Sequence, residues 1–166
     1  MWEKVGHQTR RPMTIFRGIS SAKLDSKGRM SVPARFRERL VAAGGGKLVV
    51  TVDMLEKCLL LYPLPEWETV QQKLDALPNM RPETRWLQRI LIGHATDLEL
   101  DANGRVLLPA PLRDHGRLKK TLVLVGQGNK IEIWAQDTWR TRVDAHTSDE
   151  NGALLAEGEA ITGLSV

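Results

Sequence analysis

The stretch LDSKGR, Leu24 to Arg29, recurs as LDANGR, Leu100 to Arg105. Each copy runs on to a Pro-Ala pair, Pro33-Ala34 and Pro109-Ala110. Each then places an arginine four residues past its proline, at Arg37 and Arg113. Aligning Leu24–Leu40 with Leu100–Gly116 gives seven identities in seventeen positions. The likeness continues, with KLVVTVD (Lys47–Asp53) resembling KTLVLVG (Lys120–Gly126) and CLLLYPLPEW (Cys58–Trp67) resembling KIEIWAQDTW (Lys130–Trp139). An internal repeat constrains the fold more than any local signal. Two copies are too few for a solenoid, which needs about three or more, so a pseudo-twofold pair is expected.

Within DSKG and DANG, Asp stands first and Gly fourth. Asp at the first turn position accepts hydrogen bonds from the N–H groups that follow, and Gly supplies the positive φ that closes a hairpin. Extended segments lead in, over Ile15–Leu24 and Thr96–Leu100. Short strands lead out, over Arg29–Val32 and Arg105–Leu108. Pro33 and Pro109 stop those strands and suit the first turn of a helix. Residues 34–40 read as a short helix ended by Gly44-Gly45-Gly46. A second hairpin follows, turning at MLEK in the first copy and at GQGN (Gly126–Asn129) in the second. One such ββαββ unit is small to bury a core alone. Two interleaved units can close into one barrel-like body without raw sheet edges.

Between the copies, Trp67, Val70, Leu74 and Leu77 keep one face of a helical period, and Pro78 breaks it. Pro82 opens a second helix, with Trp86, Leu87, Ile90 and Leu91 as its apolar stripe. This helical hairpin covers the barrel or meets a neighbouring subunit. A further helix is expected over Asp137–Val143. The chain thus divides into an N-terminal extension (1–14), a first unit (15–66), a helical linker (67–94), a second unit (95–138) and a C-terminal helix and tail (139–166). The class is α+β.

Cys58 is the one cysteine, so no intrachain disulfide and no cysteine zinc cluster can form. In an apolar run it reads as a small core residue, and a reducing cytoplasm is expected. No apolar run approaches the ~18 residues that span a bilayer. The polar start, MWEKVGHQTRRPM, has no apolar signal core, so neither export nor a membrane partner is expected. Charge is distributed unevenly. Residues 1–47 hold eleven Lys or Arg against three Asp or Glu, a balance of +8, while the other 119 hold thirteen against seventeen, a balance of −4. Such asymmetry points to a polyanion partner; a solvated basic face without a partner is the alternative.

Arg29 and Arg105 each follow a turn at once, with Lys27 at the first tip and Asn103 at the matching place in the second. A β-ribbon can enter the DNA major groove, where arginine bonds guanine through two hydrogen bonds, worth ~1–3 kcal/mol of discrimination. Arg17, Lys23, Arg35, Arg37 and Arg39 suit phosphates, which position a protein and make binding salt-dependent. Alternatively, each Asp pairs with the arginine four residues on and serves its hairpin alone. Enzyme readings find little support. DANG begins like an EF-hand loop but Arg-Val-Leu-Leu-Pro follows, without oxygen ligands. GQGNK lacks P-loop spacing, the histidines lack HExxH spacing, and Ser20, Ser21 and Ser26 lie in no nucleophile elbow. No catalytic, cofactor or metal site is expected, nor a small-molecule substrate.

Taken together, FRG (Phe16–Gly18), LDSKGRMSVPARFRE, CLLLYPLPEW, LIGHA (Leu91–Ala95), DANGRVLLPAPLR and LVGQGNKIEIW resemble the MraZ family of bacterial transcriptional regulators over about Ile15 to Val143. The resemblance implies a tandem pair of AbrB-like domains forming a swapped-hairpin β-barrel, and assembly with copies of itself into a ring. It implies binding to double-stranded promoter DNA, at short G-rich direct repeats upstream of the family's own gene in the division and cell-wall cluster, usually as a repressor. A nucleoid-associated place in the cytoplasm follows. The family's DNA-reading motif falls on Asp25, Lys27, Gly28 and Arg29, and on Asp101, Gly104 and Arg105. A ring-forming scaffold whose basic face is incidental is the alternative. An RNA-binding reading would need stacking aromatics on the strands, and the first basic unit offers only Phe16 and Phe36.

Overall fold

The computed structural model describes residues 15–148, so the extension over 1–14 and the tail past Ser148 lie outside the described residues. Within them the first copy forms β1 (Ile19–Lys23), β2 (Arg29–Ser31), α1 (Ala34–Gly44), β3 (Lys47–Val52) and β4 (Leu59–Pro63). The linker forms α2 (Leu64–Asp75) and α3 (Pro82–Leu91). The second copy forms β5 (Thr96–Glu99), β6 (Arg105–Leu107), α4 (Ala110–His115), β7 (Thr121–Gly126) and β8 (Ile131–Ala135), and α5 (Gln136–Thr147) follows. The order of elements repeats as expected. Pro33 and Pro109 cap their helices from just outside the first turn. Their carbonyls accept from the N–H groups of Phe36 and Arg37, and of Leu112 and Arg113.

The strands make an antiparallel six-stranded sheet in the order β1-β7-β8-β4-β3-β5, and β2 pairs with β6 in a separate two-stranded ribbon. The copies exchange strands. β1 of the first pairs with β7 of the second, and β5 of the second pairs with β3 of the first. β4 and β8 meet at the centre. The outer strands β1 and β5 pair along one side only, apart from a single bridge between Leu24 and Met30.

The inner strands are apolar on both faces, because both faces are covered. Side chains alternate between them. Leu48, Val50, Val52, Leu59, Leu61, Leu122, Leu124, Ile131 and Ile133 join one central core with Phe16, Met30, Phe36, Val106, Leu108 and Leu112. The opposite face divides. Val49, Leu60 and Tyr62 pack under Trp67 and Leu74 of α2 and Leu87 and Leu91 of α3. Val123, Val125 and Trp134 pack with Cys58 under Trp139 of α5. The buried hydroxyl of Thr51 donates to the carbonyl of Leu91 (2.6 Å) and ties α3 to the sheet. The linker helices therefore cover one part of the outer face of the sheet, over β3 and β4. Their stripe is narrower than expected, since Trp86 stands 58% exposed with Arg89 over its ring.

Candidate nucleic-acid interface

The two Asp-x-x-Gly turns are near copies in geometry. Asp25 Oδ1 accepts from the N–H groups of Lys27 (3.0 Å) and Arg29 (2.9 Å). Asp101 Oδ1 accepts from those of Asn103 (2.8 Å) and Arg105 (2.9 Å). Gly28 and Gly104 take φ of 86° and 72°, and their N–H groups close the turns onto the carbonyls of Asp25 and Asp101. The N–H bonds from Arg29 and Arg105, foremost, hold each carboxyl below its usual value, as do the guanidinium charges beside them. Each arginine also turns back to its aspartate, through Nε, at 2.8 Å for Arg29–Asp25 and 3.4 Å for Arg105–Asp101. An ion pair that serves the hairpin is thus present in both turns.

The turns are built by each other's halves. The N–H of Leu108 donates to the Gly28 carbonyl (2.9 Å), and that of Val32 to the Gly104 carbonyl (3.0 Å). Arg113 lies against Gly28 so closely that a Cβ there would meet its guanidinium carbon at 2.7 Å. Arg37 lies against Gly104 in the same way, at 2.7 Å from its Cδ. The sequence marks Arg113 only as a repeat position, because nothing local says that it reaches the other copy's turn.

The ribbon sets the direction of the arginines. Arg29 lies opposite Leu107, Met30 opposite Val106 and Ser31 opposite Arg105. Alternation puts Arg29, Ser31, Arg105 and Leu107 on one face and Met30 and Val106 on the other. Met30 and Val106 are buried, at 0% and 1% exposure, whereas Leu107 is 57% exposed. Each buried side chain is worth ~1.5–3 kcal/mol relative to exposure, and exposed ion pairs contribute little. Burial of Met30 and Val106, rather than the aspartate pairs, therefore fixes the arginines on the outward face.

The remaining basic residues divide into tied and free. Arg35 donates to the Arg17 carbonyl (3.3 Å) and lies over the Phe36 ring, and Arg39 donates to the Ile15 carbonyl. Both thereby bind the entry segment to α1. Arg37 is half-buried against the second turn. Arg17 and Lys27 are exposed, and Lys23 reaches Thr121 Oγ1 (3.2 Å). Among the described residues, Asp53, Cys58 and Glu132 bring cation-ligating atoms within 4.8 Å of one another. Asp53 already accepts from the N–H groups of Leu55 and Glu56, and Glu132 from Trp134 Nε1. Burial, foremost, pushes the Cys58 thiol up and raises Glu132 as well. No helix among the described residues is long and apolar enough to cross a membrane.

A family model described as "MraZ protein, putative antitoxin-like" matches residues 15–90 and 91–153, so its boundary falls between the two copies. The chain belongs to the MraZ family. It is 54% identical over 136 residues to the transcriptional regulator MraZ of Marinomonas sp. (strain MWYL1), covering 82% of this chain and 90% of the relative. The MraZ of Histophilus somni (strain 129Pt) is 45% identical over 152 residues, 92% of this chain and all of the relative. That of Pseudomonas aeruginosa (strain LESB58) is 50% identical over 131 residues, 79% and 87% respectively. MraZ relatives carry the name of a regulator and not of an enzyme.

Proposed function

We propose that this chain is a sequence-specific transcriptional regulator that reads double-stranded promoter DNA through the β2–β6 ribbon. The supporting observation is the shared outward face of Arg29 and Arg105. A two-stranded ribbon fits the major groove, about 12 Å wide. Arg29 and Arg105 are diagonal neighbours on it, a separation of about 7–8 Å. That matches about two base-pair steps of 3.4 Å. On binding, each guanidinium leaves its carboxylate for guanine O6 and N7. The exposed ion pair given up is weak, and the bidentate bond to guanine that replaces it is worth ~1–3 kcal/mol.

Asp25, Gly28, Asp101 and Gly104 hold the turns in shape before DNA arrives, and Arg37 steadies the second turn from behind. Lys27, Arg17 and Lys23, with Arg35 as their support, meet phosphates. The fold that carries this is an AbrB-like swapped-hairpin barrel of two units, 15–66 and 95–138, joined by the helices of 67–94. The strand exchange between β1 and β7, and between β5 and β3, supports that reading. A ring of such chains would present the ribbon repeatedly to direct repeats, and avidity would let weak single sites bind tightly together. The regulated target is the chain's own division and cell-wall gene cluster, held in repression by nucleoid-bound protein in the cytoplasm.

Fluorescence anisotropy on duplex DNA from upstream of the protein's own gene, with a scrambled duplex as control, tests this. Tight binding to the upstream duplex, lost in Arg29→Ala with oligomer and fold intact, is expected. Equal weak binding to both duplexes, unchanged by the substitution, would refute it and favour a scaffold whose basic face is incidental.

A further inference from the structure

A cleft of about 1160 Å³ opens at the foot of the first turn, where Asp25 and Ser26 form part of its wall. Its other walls come from the second copy and from α5. Five cations line it: Lys23, Arg113, Arg117, Lys119 and Lys120. The acidic groups on the wall are Asp25, already paired with Arg29, and Asp137. The first turn of α5 also faces the cleft, and its N-cap, Ala135, provides no side-chain cap.

We propose that this cleft holds backbone phosphates of the duplex that the ribbon reads. The inference rests on the DNA reading above and adds to it a second contact surface beside the first turn. Cations in such number around one cleft repel one another unless an anion joins them, and a DNA strand passing the turn brings its phosphates to that wall. Arg117 adds an independent sign. It takes a left-handed conformation (φ 52°), the one non-glycine residue among those described with positive φ. In the first copy the left-handed residue that ends the helix is Gly45 (φ 65°). A strained residue that needs no side chain for its turn, yet keeps an arginine at the cleft, points to a use for the charge.

The repeat supplies its own control. At the place matching Lys23 the other copy has Glu99, at the left-handed place of Arg117 it has Gly45, and at that of Lys120 it has Gly46, while Lys47, which pairs with Glu99, matches Thr121. The phosphate cleft is therefore confined to the first turn, and the two turns engage DNA unequally. Strand exchange explains how second-copy residues come to serve the first copy's turn, since β1 pairs with β7 in the register Lys23↔Thr121.

The test compares wild type with Lys119→Gln/Lys120→Gln, with Arg117→Gly and with Lys47→Gln as the control in the other copy. Affinity for the upstream and scrambled duplexes is measured across salt concentrations. Each lost phosphate contact lowers the slope of log affinity against log salt by about 0.9. The double variant is expected to lower it by about 1.8 and Arg117→Gly by about 0.9, weakening both duplexes by the same factor. Lys47→Gln should match wild type. Arg117→Gly relieves the backbone, so its loss of affinity comes with a melting temperature unchanged or raised. Unchanged slopes in the variants, while wild type still prefers the upstream duplex, would overturn the cleft alone. Wild type failing to bind duplex at all would sink the DNA reading and the cleft with it. Affinity for inorganic phosphate that the variants lose, with DNA slopes unaltered, would assign the cleft to a free anion and overturn the proposal.

Discussion

At Gly28 the two halves of the molecule meet closely, and Gly28→Ala measures how much that meeting contributes. The residue takes φ of 86°. An alanine there has a left-handed backbone, at ~1–2 kcal/mol. Its Cβ would also lie 2.7 Å from Cζ and 2.8 Å from Nε of Arg113. Arg113 must withdraw, and the bond from its Nε to the Leu108 carbonyl (3.0 Å) is lost with it. That loss adds ~0.5–1.5 kcal/mol. The lower entropy of the unfolded alanine chain returns ~0.4–1 kcal/mol. The net is about 2 kcal/mol of destabilisation, or ~4–8 °C in melting temperature for a chain of this size. Gly45→Ala is the matched control, with φ of 65° and nothing within 4 Å of its added Cβ. It should cost about 1 kcal/mol or less, from strain alone. Urea unfolding followed by circular dichroism reads both. In an Arg113→Ala background the difference between the two glycine substitutions should vanish, as a double-mutant cycle requires of a direct contact. Equal costs at Gly28 and Gly45 in the native background would refute the packing of Arg113 across the first turn.

Cys58 is fully buried, and burial together with Glu132, Asp53 and Glu56 pushes its thiol up. It should resist a maleimide at pH 8 in the native protein and react at once in urea; rapid native labelling would contradict its placement. His115 sits with its Nε2 buried and without a hydrogen-bond partner, and burial foremost, with the charges of Lys57 and His94, holds it below its ordinary 6.5. A histidine depressed in the folded state binds its proton more readily when unfolded, so it contributes stability above 6.5 that is lost as pH falls through the lower folded value. Unfolding free energies measured from pH 8 down to pH 5 should decline more steeply in wild type than in His115→Gln, and parallel curves would exclude this role. Met30→Ala removes a side chain with 0% exposure from beneath the ribbon. A loss of ~2–5 kcal/mol is expected by chemical denaturation, with DNA affinity falling as the arginine face loses its footing; a loss under ~1 kcal/mol would show that the ribbon is not anchored by that face.

The local parts of this molecule were legible in the sequence because their causes are local. Asp25 and Asp101 cap backbone N–H groups within four residues of themselves, and Gly28 and Gly104 take the positive φ that their place demands. The strands β3, β4, β7 and β8 were visible as apolar runs, and the two prolines did mark helix starts. Strand partners were less legible. Pairing of Lys23 with Thr121 spans 98 residues and leaves no trace in either segment taken alone. For the same reason the reach of Arg113 to Gly28 and of Arg37 to Gly104 was hidden. In α3 periodicity identified an apolar stripe without ranking its members, and Trp86 proved to be the one left outside while Leu87 and Leu91 packed. Arg35 and Arg39 looked like free basic residues, yet the carbonyls of Arg17 and Ile15 engage them, an arrangement that charge counting does not register.

The claim that one ribbon face carries two base-reading arginines is tested most directly by base-pair substitution. Every position of the bound upstream duplex is changed singly, and affinity is measured for wild type, Arg29→Ala and Arg105→Ala. Wild type should show two guanine positions about two base-pair steps apart, each costing ~1–3 kcal/mol when changed. Arg29→Ala should lose sensitivity at one of them and Arg105→Ala at the other, with the rest of each profile unaltered. Variant profiles that keep both guanine sensitivities, merely scaled down together, would show that the arginines do not read bases and would contradict the account.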